Sequence, residues 1–400
     1  MSPGNLIDDT SDVSAFYDQF PFPPDSLKDE PPLGFNWRWS FENVCSFCTG
    51  ALPFPKNRLK KISILDAGCG SGVSTDYLAH LNHGSDILAI DISSISLNIA
   101  KERLARSFGD RHANLRFENI SLFDVDGEAQ YDFINSVGVL HHLKDPLAGL
   151  KALGSLLKDG GILHLFIYAD LGRLEIKQVH KALAYLGILQ EDNALELGRK
   201  LIDELPSNNP IKKNYRDKWS VECQSDVNFA DMYLHPRETT FNLSRLWELI
   251  DKSKLEFLGF SNPMTWSLER LLDGELLERA KKMSLIKQME LVEALDPDIG
   301  HFEFFLSKGK LGKYEWDDDD LLLSKIGKIN SCLWGWPSKT LHDSDLNRIE
   351  IDEQSFRLLK AIEKFPETPF ELLPLSWDKS MIASTARDLH RRQLLLLYPS

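Results

Sequence analysis

Short apolar runs alternate with stretches of helical spacing between Ile62 and Tyr168. Ile62-Ser63-Ile64-Leu65 leads into Asp66-Ala67-Gly68-Cys69-Gly70-Ser71-Gly72, so a buried strand meets a tight turn. A helix is predicted from about Val73, where Ser74, Thr75 and Asp76 suit a helix start. Ile87-Leu88-Ala89-Ile90 is the second run and ends on Asp91. Further strands are predicted at 115–121 and 131–143, and a turn leads into a fifth over 156–168. Between them, 96–108 puts Leu97, Ala100, Leu104 and Phe108 on one helical face. The stretch 147–157 reads as another helix, stopped by Asp159-Gly160-Gly161. Strands alternating with helices in this way predict an α/β sheet with parallel strands.

A strand, a glycine turn and a helix N-terminus together make a ligand site. Glycine at 68, 70 and 72 removes Cβ atoms that would hold a ligand off the backbone, and it permits positive φ where the chain reverses. Asp91, at the tip of the second strand, offers two acceptor oxygens to the hydroxyls of a ribose. A dinucleotide fingerprint would need glycine at 73, where Val73 stands. The turn inside LDAGCGSG (65–72) instead resembles motif I of the class I S-adenosylmethionine (SAM)-dependent methyltransferases, and AIDIS (89–93) resembles their second motif. The segments 115–121, 131–143 and 156–168 follow in that family's order. This resemblance covers roughly residues 60–170. It implies a Rossmann-like catalytic core, placed at 56–172, with SAM held by Asp66, Gly68, Cys69, Gly70, Gly72, Asp91, Ile92, Ile120, Ser121 and Ser136. Family members often carry Asp where Ser121 stands, accepting from the adenine amino group; Ser121 can accept in its place.

The rest of the chain divides around this core. Residues 1–55 read as an N-terminal extension or lid. The first fourteen are polar and acidic and are expected to lack fixed structure, and the segment from Phe16 to Pro24 is expected to be extended, because its prolines oppose a helix. Trp37, Trp39, Phe41, Val44 and Phe47 predict a helix beside the sheet, while Asn57, Arg58, Lys60 and Lys61 form a short basic link. Residues 173–312 read as a mainly helical insert that serves as substrate region or lid, with strands near 255–260 and 301–306 that extend or cap the sheet. Residues 317–400 read as a small separate domain: Asp317 to Asp320 form the first turn of a helix, followed by helices at 354–365, 371–375 and 380–392 and a hairpin at 394–398. That pattern resembles the winged-helix tails of some bacterial protein-lysine methyltransferases. With only Arg387, Arg391 and Arg392 on its last helix, partner binding is expected ahead of DNA reading.

Composition narrows the function. Acidic residues exceed basic ones by 60 to 46, a net charge of −14, which disfavours a nucleic-acid partner. No apolar run reaches membrane-helix length and no basic leader opens the chain, so a soluble, cytoplasmic protein with no membrane partner is expected. The five cysteines are unlike a disulfide framework. Cys45 and Cys48 lack a second pair, so they are expected in a core and no metal site is expected. Methyl transfer needs an acceptor lone pair in line with the methyl group and, for a protic acceptor, a base. His141 and His142, directly after the fourth strand, are the candidate bases, with Tyr168 and Tyr17 as further pocket residues; His235 and His301 read as structural. The expected activity is methyl transfer to an oxygen, nitrogen or carbon of a small molecule or protein side chain. The alternatives are a non-catalytic SAM-binding regulator and an NAD-dependent oxidoreductase.

Overall fold

The computed structural model describes residues 10–32, 36–55, 61–109, 114–342 and 347–399. Seven strands form the main sheet: β1 (Ser63–Ala67), β2 (Asp86–Ile90), β3 (Leu115–Glu118), β4 (Tyr131–Val137), β5 (Leu157–Tyr168), β6 (Glu256–Phe260) and β7 (His301–Ser307), in the order β3-β2-β1-β4-β5-β7-β6. The first five run parallel, and β7 is antiparallel to both β5 and β6. This is the Rossmann-like α/β arrangement read from the sequence. The chain order turns at β1, between β2 and β4, so the ends of these strands open a crevice.

Alternate side chains of the strands serve opposite faces. Ile64, Ile87 and Phe133 pack with α2 (Phe41–Thr49), α3 (Val73–Leu81) and α4 (Ser94–Phe108). Leu65, Ala67 and Ile134 pack on the other face with α5 (Pro146–Leu156) and a later helix, Leu243–Ser253. Ile64, Leu65, Phe133 and Ile134 are fully buried, each worth about 1.5–3 kcal/mol in water-removed surface. Cys45 and Cys48 belong to the first of these cores, and all five cysteines are free.

Two local expectations need correction. Residues 11–19 form a helix, α1 (Ser11–Gln19), because the prolines that suggested an extended segment begin only at Pro21, beyond its end. Residues 1–9 and the basic positions Asn57, Arg58 and Lys60 lie outside the described residues. The glycine pair at 160 and 161 does not end α5: that helix stops at Leu156 and β5 runs straight on, with Gly160 at φ +77° and its N–H donating to Lys308 O. The region 173–312 is helical between β5 and β6, and its two expected strands are β6 and β7, which extend the sheet.

The C-terminal segment runs helix Asp319–Leu323, strands Gly327–Ile329, Thr340–His342 and Arg348–Glu350, helices Glu353–Lys364 and Lys379–Arg391, and strand Leu395–Leu397; the first and last strands pair antiparallel, as do the middle two. Asp318 caps the first helix through Leu321 N, as the acidic run suggested. The expected helix at 371–375 is one 3-10 turn, Phe370–Leu372. The last strand pairs with Gly327–Ile329 and not with a second arm of a terminal hairpin. The segment has its own core, joined by Ala51, and it binds the end of α2 and the residues after it: Leu52 N donates to Leu397 O (2.8 Å) and Trp316 Nε1 to Gly50 O (2.7 Å). No helix among the described residues is long and apolar enough to cross a membrane.

Candidate active site

The glycine turn is clamped from both sides. Gly68 and Gly70 have φ of +80° and +52°; a Cβ on Gly68 would lie 2.3 Å from Val139 and one on Gly70 2.3 Å from Phe22 O, so neither position accepts a side chain. Ile90 O accepts from the N–H groups of Gly68 and Cys69. Asp91 Oδ2 accepts from Gly70 N and Oδ1 from Ser93 N, both at 2.8 Å. Each oxygen keeps a further lone pair. Burial pushes the Asp91 carboxyl up to about 6, against these two bonds, which lower it.

This turn borders a cavity of about 350 Å³. Gly68, Cys69, Gly70, Val73 and Ser74 form one wall, and Asp91, Ile92, Ile120, Ser121 and Leu122 line the end by β2 and β3. Thr10, Val13 and Tyr17 of the N-terminal segment and α1 lie across it, with Phe22, Pro23 and Trp39 beside them. The segment is tied down: Ser14 Oγ donates to Ile92 O, and Asp18 accepts from Ser93 Oγ at the start of α4. Glycines without Cβ, an acid at the strand tip and an apolar slot beyond it fit an adenosine cofactor of the SAM type.

Three predicted cofactor residues lie elsewhere. Asp66 is fully buried beneath the turn, and its carboxylate accepts from Ser74 Oγ (2.8 Å), Thr75 Oγ1 (2.6 Å) and Asn135 Nδ2 (2.7 Å). It holds the start of α3. Gly72 gives α4 room, since a Cβ there would sit 2.7 Å from Ala100. Ser136 is buried on β4 outside the cavity lining, and its hydroxyl has no partner among the described residues.

The opposite end of the cavity is polar. Tyr17 and Tyr168 donate to the two oxygens of Asp231, at 3.0 and 3.2 Å. Asp231 sits on the helix Asp226–Tyr233. Burial raises its carboxyl, while the Arg173 charge and the two tyrosine bonds pull the other way. Burial and the Asp231 charge push both phenols well up, so each stays protonated and donates. Arg173 lies over the Tyr168 ring, 3.4 Å from its centre, and is itself held by a two-pronged pair with Glu238.

Of the two candidate bases, only His142 lines the cavity. Its Nδ1 is 2.8 Å from Arg237 O; a carbonyl only accepts, so Nδ1 carries the proton and Nε2 keeps its lone pair. Burial holds its pKa down at about 4, so the ring is neutral near pH 7. His141, the other candidate, is fully buried outside the cavity lining, stacks on Tyr168 at 3.9 Å, and neither ring nitrogen has a partner among the described residues. His235, read as structural, stacks 3.8 Å from His142. Sequence reasoning missed Asp231. The signal was an acid interrupting the apolar run Phe229-Ala230-Asp231-Met232-Tyr233. Among the described residues no three His, Cys, Asp or Glu side chains cluster where they could hold a metal.

Comparison with known proteins agrees with this geometry. A methyltransferase domain model matches residues 65–163. An uncharacterized protein of Synechococcus sp. is 43% identical over 398 residues, covering 98% of this chain and 94% of that protein. The ubiquinone biosynthesis O-methyltransferase of Acinetobacter baylyi is 31% identical over 105 residues, which is 26% of this chain and 41% of that enzyme. PKMT2 from Rickettsia typhi, solved in complex with AdoHcy, shares the fold at a TM-score of 0.63 with 16% identity, over 95% of this chain and 78% of that one. The chain belongs to one family with the uncharacterized Synechococcus protein, and its residues 65–163 are the methyltransferase domain of a class I SAM-dependent methyltransferase.

Proposed function

We propose that this methyltransferase acts on a protic oxygen or nitrogen of a small molecule or protein side chain, seated at the Tyr17, His142 and Tyr168 end of the cavity. Bound SAM supplies an electrophilic methyl group on a sulfonium sulfur. The chain's part is to hold the acceptor lone pair in line and to receive its proton. The observation that carries this reading is the bare Nε2 of a neutral His142 at the cavity wall, fixed in that tautomer by Arg237 O. Tyr17 and Tyr168, both bonded to Asp231, supply oriented hydroxyls beside it. Gly68, Gly70, Asp91, Ile92, Ile120 and Ser121 hold the cofactor, and α1 acts as a lid over it. The C-terminal segment, which contributes nothing to the cavity lining, positions an acceptor or partner.

The test is transfer of label from SAM to cell extracts separated into metabolites and proteins, with the intact chain and with His142→Ala. Labelled product from the intact chain, reduced by about 10²-fold or more in the variant, is expected. Equal labelling by both would overturn the role of His142, and labelling of neither fraction would overturn the acceptor classes.

A further inference from the structure

Behind the glycine turn, the sheet carries a row of polar side chains through its core. Asp66 on β1, Asn135 on β4 and His164 on β5 stand at paired register positions of adjacent strands, and Glu303 on β7 comes next. The first three have at most 1% of their surface exposed. Asn135 Nδ2 donates to Asp66 Oδ1 at 2.7 Å, while its Oδ1 accepts from Trp39 Nε1 at 3.0 Å. An indole N–H only donates, so the orientation of this amide is fixed. His164 Nδ1 lies 2.8 Å from the same Oδ1 and must therefore carry a proton.

The other ring nitrogen meets a carboxylate. His164 Nε2 lies 3.1 Å from Glu303 Oε1, and the second oxygen of Glu303 accepts from Ser261 Oγ and pairs with Arg38 Nε at 2.6 Å. Burial alone would raise the Glu303 carboxyl, but the bond and charge of His164, the Arg38 charge and the Ser261 hydroxyl hold it at about 2. Paired with the Arg38 guanidinium, Glu303 is a carboxylate that only accepts, so Nε2 carries a proton as well. Charge alternates along the row, from Asp66 through His164 and Glu303 to Arg38.

We propose that His164 is held as an imidazolium and is a positioning residue for the cofactor turn: acting through Asn135, it keeps Asp66 in the ionised form that receives the Ser74 and Thr75 hydroxyls. Ser74 lines the cofactor cavity, so this row reaches the ligand from behind. Burial pushes the Asp66 carboxyl up, opposed by the Thr75, Asn135 and Ser74 bonds and by the His164 charge. Loss of that charge lets Asp66 take a proton and releases the hydroxyls at the start of α3. The ionisable groups around the ring are Asp66 from β1, Glu303 from β7 and Arg38 from the turn Trp37–Trp39, with His301 beyond Glu303; Phe305 stacks on it at 5.0 Å.

Nitrogen-detected NMR of the full chain with labelled histidine is the direct test. Near pH 7.5 the His164 ring, assigned with His164→Gln, is expected to give two protonated nitrogens, and a neutral ring overturns the proposal. Calorimetric titration with S-adenosylhomocysteine gives the second readout. Relative to the unaltered chain, Glu303→Gln and His164→Gln are each expected to bind roughly tenfold more weakly. Affinity equal to that of the unaltered chain in both variants overturns the positioning role. If Glu303→Gln does not fold, the spectrum of the unaltered chain and the affinity of His164→Gln still decide the matter.

Discussion

The hydroxyl of Tyr17 donates to Asp231 Oδ1 across 3.0 Å, joining two residues 214 positions apart. The bond closes α1 over the cavity, helped by the ion pair of Asp12 with Arg237. Tyr17→Phe leaves one oxygen of a buried carboxylate without its donor, at a cost of about 1–3 kcal/mol. Because that cost falls on the closed arrangement, S-adenosylhomocysteine is expected to leave the variant at least about fivefold faster, as followed by stopped-flow fluorescence. An unchanged release rate would mean that α1 does not gate the site.

With Asp91 in its proposed place on the ribose, its carboxyl is expected to set the pH dependence of cofactor binding. Its carboxyl is raised to about 6 by burial, so the folded chain holds this proton more tightly than the unfolded chain does. The resulting contribution to stability is complete below the ordinary aspartate range and is lost as pH rises through about 6. Ligand affinity runs the other way, because ribose hydroxyls donate best to the ionised carboxylate. S-adenosylhomocysteine affinity is expected to rise through about pH 6 and level off above it. Asp91→Asn should bind about 1–3 kcal/mol more weakly at high pH and lose the step, which calorimetry across the pH range would register. A step that persists in the variant would assign the titration to another group.

What was legible in the sequence was local. The glycine turn, Asp91 and the strands that carry them lie within one short β-α-β stretch, where apolar period and turn chemistry decide the structure together. Asp66 was misplaced because its neighbours in sequence say nothing of Asn135, which meets it from the next strand. The choice between His141 and His142 was equally closed to inspection: adjacent residues in a 3-10 turn point in different directions, and only the pairing of His142 with Arg237 O separates the one at the wall from the one in the core. Asp231 acts through contacts with α1 and β5, and no local pattern records such distances.

The contrast between the two histidines is itself testable. His142→Ala is expected to lower turnover by about 10²-fold or more while leaving S-adenosylhomocysteine affinity within about threefold, since a base for the acceptor acts after the cofactor is bound. His141→Leu should behave differently. It removes two buried ring nitrogens that lack partners and keeps a similar volume, so the unfolding midpoint is expected to hold or rise, with turnover largely retained. A collapse of turnover in His141→Leu, with a normal midpoint, would return the base assignment to His141.

The C-terminal segment offers the sharpest separation of stability from ligand binding. None of the cavity-lining residues lies beyond Gly312, so a chain ending there retains every group assigned to the cofactor. The same cut removes the partners of α2 and the turn after it. Leu52 N loses Leu397 O, Gly50 O loses the Trp316 indole, Glu42 loses Lys328, and Ala51 and the side of α2 that packs on Cys332 become bare. Newly exposed apolar surface of this kind favours aggregation. The truncated chain is therefore expected to express with a large insoluble fraction and a lowered unfolding midpoint, while the soluble remainder binds S-adenosylhomocysteine as the full chain does. Both quantities come from one preparation, by sedimentation followed by calorimetry. Full solubility with an unchanged midpoint would show that docking against α2 contributes little to the fold, and lost affinity in a soluble, folded truncation would show that the segment supports the cofactor turn through α2 and the Trp37–Trp39 turn.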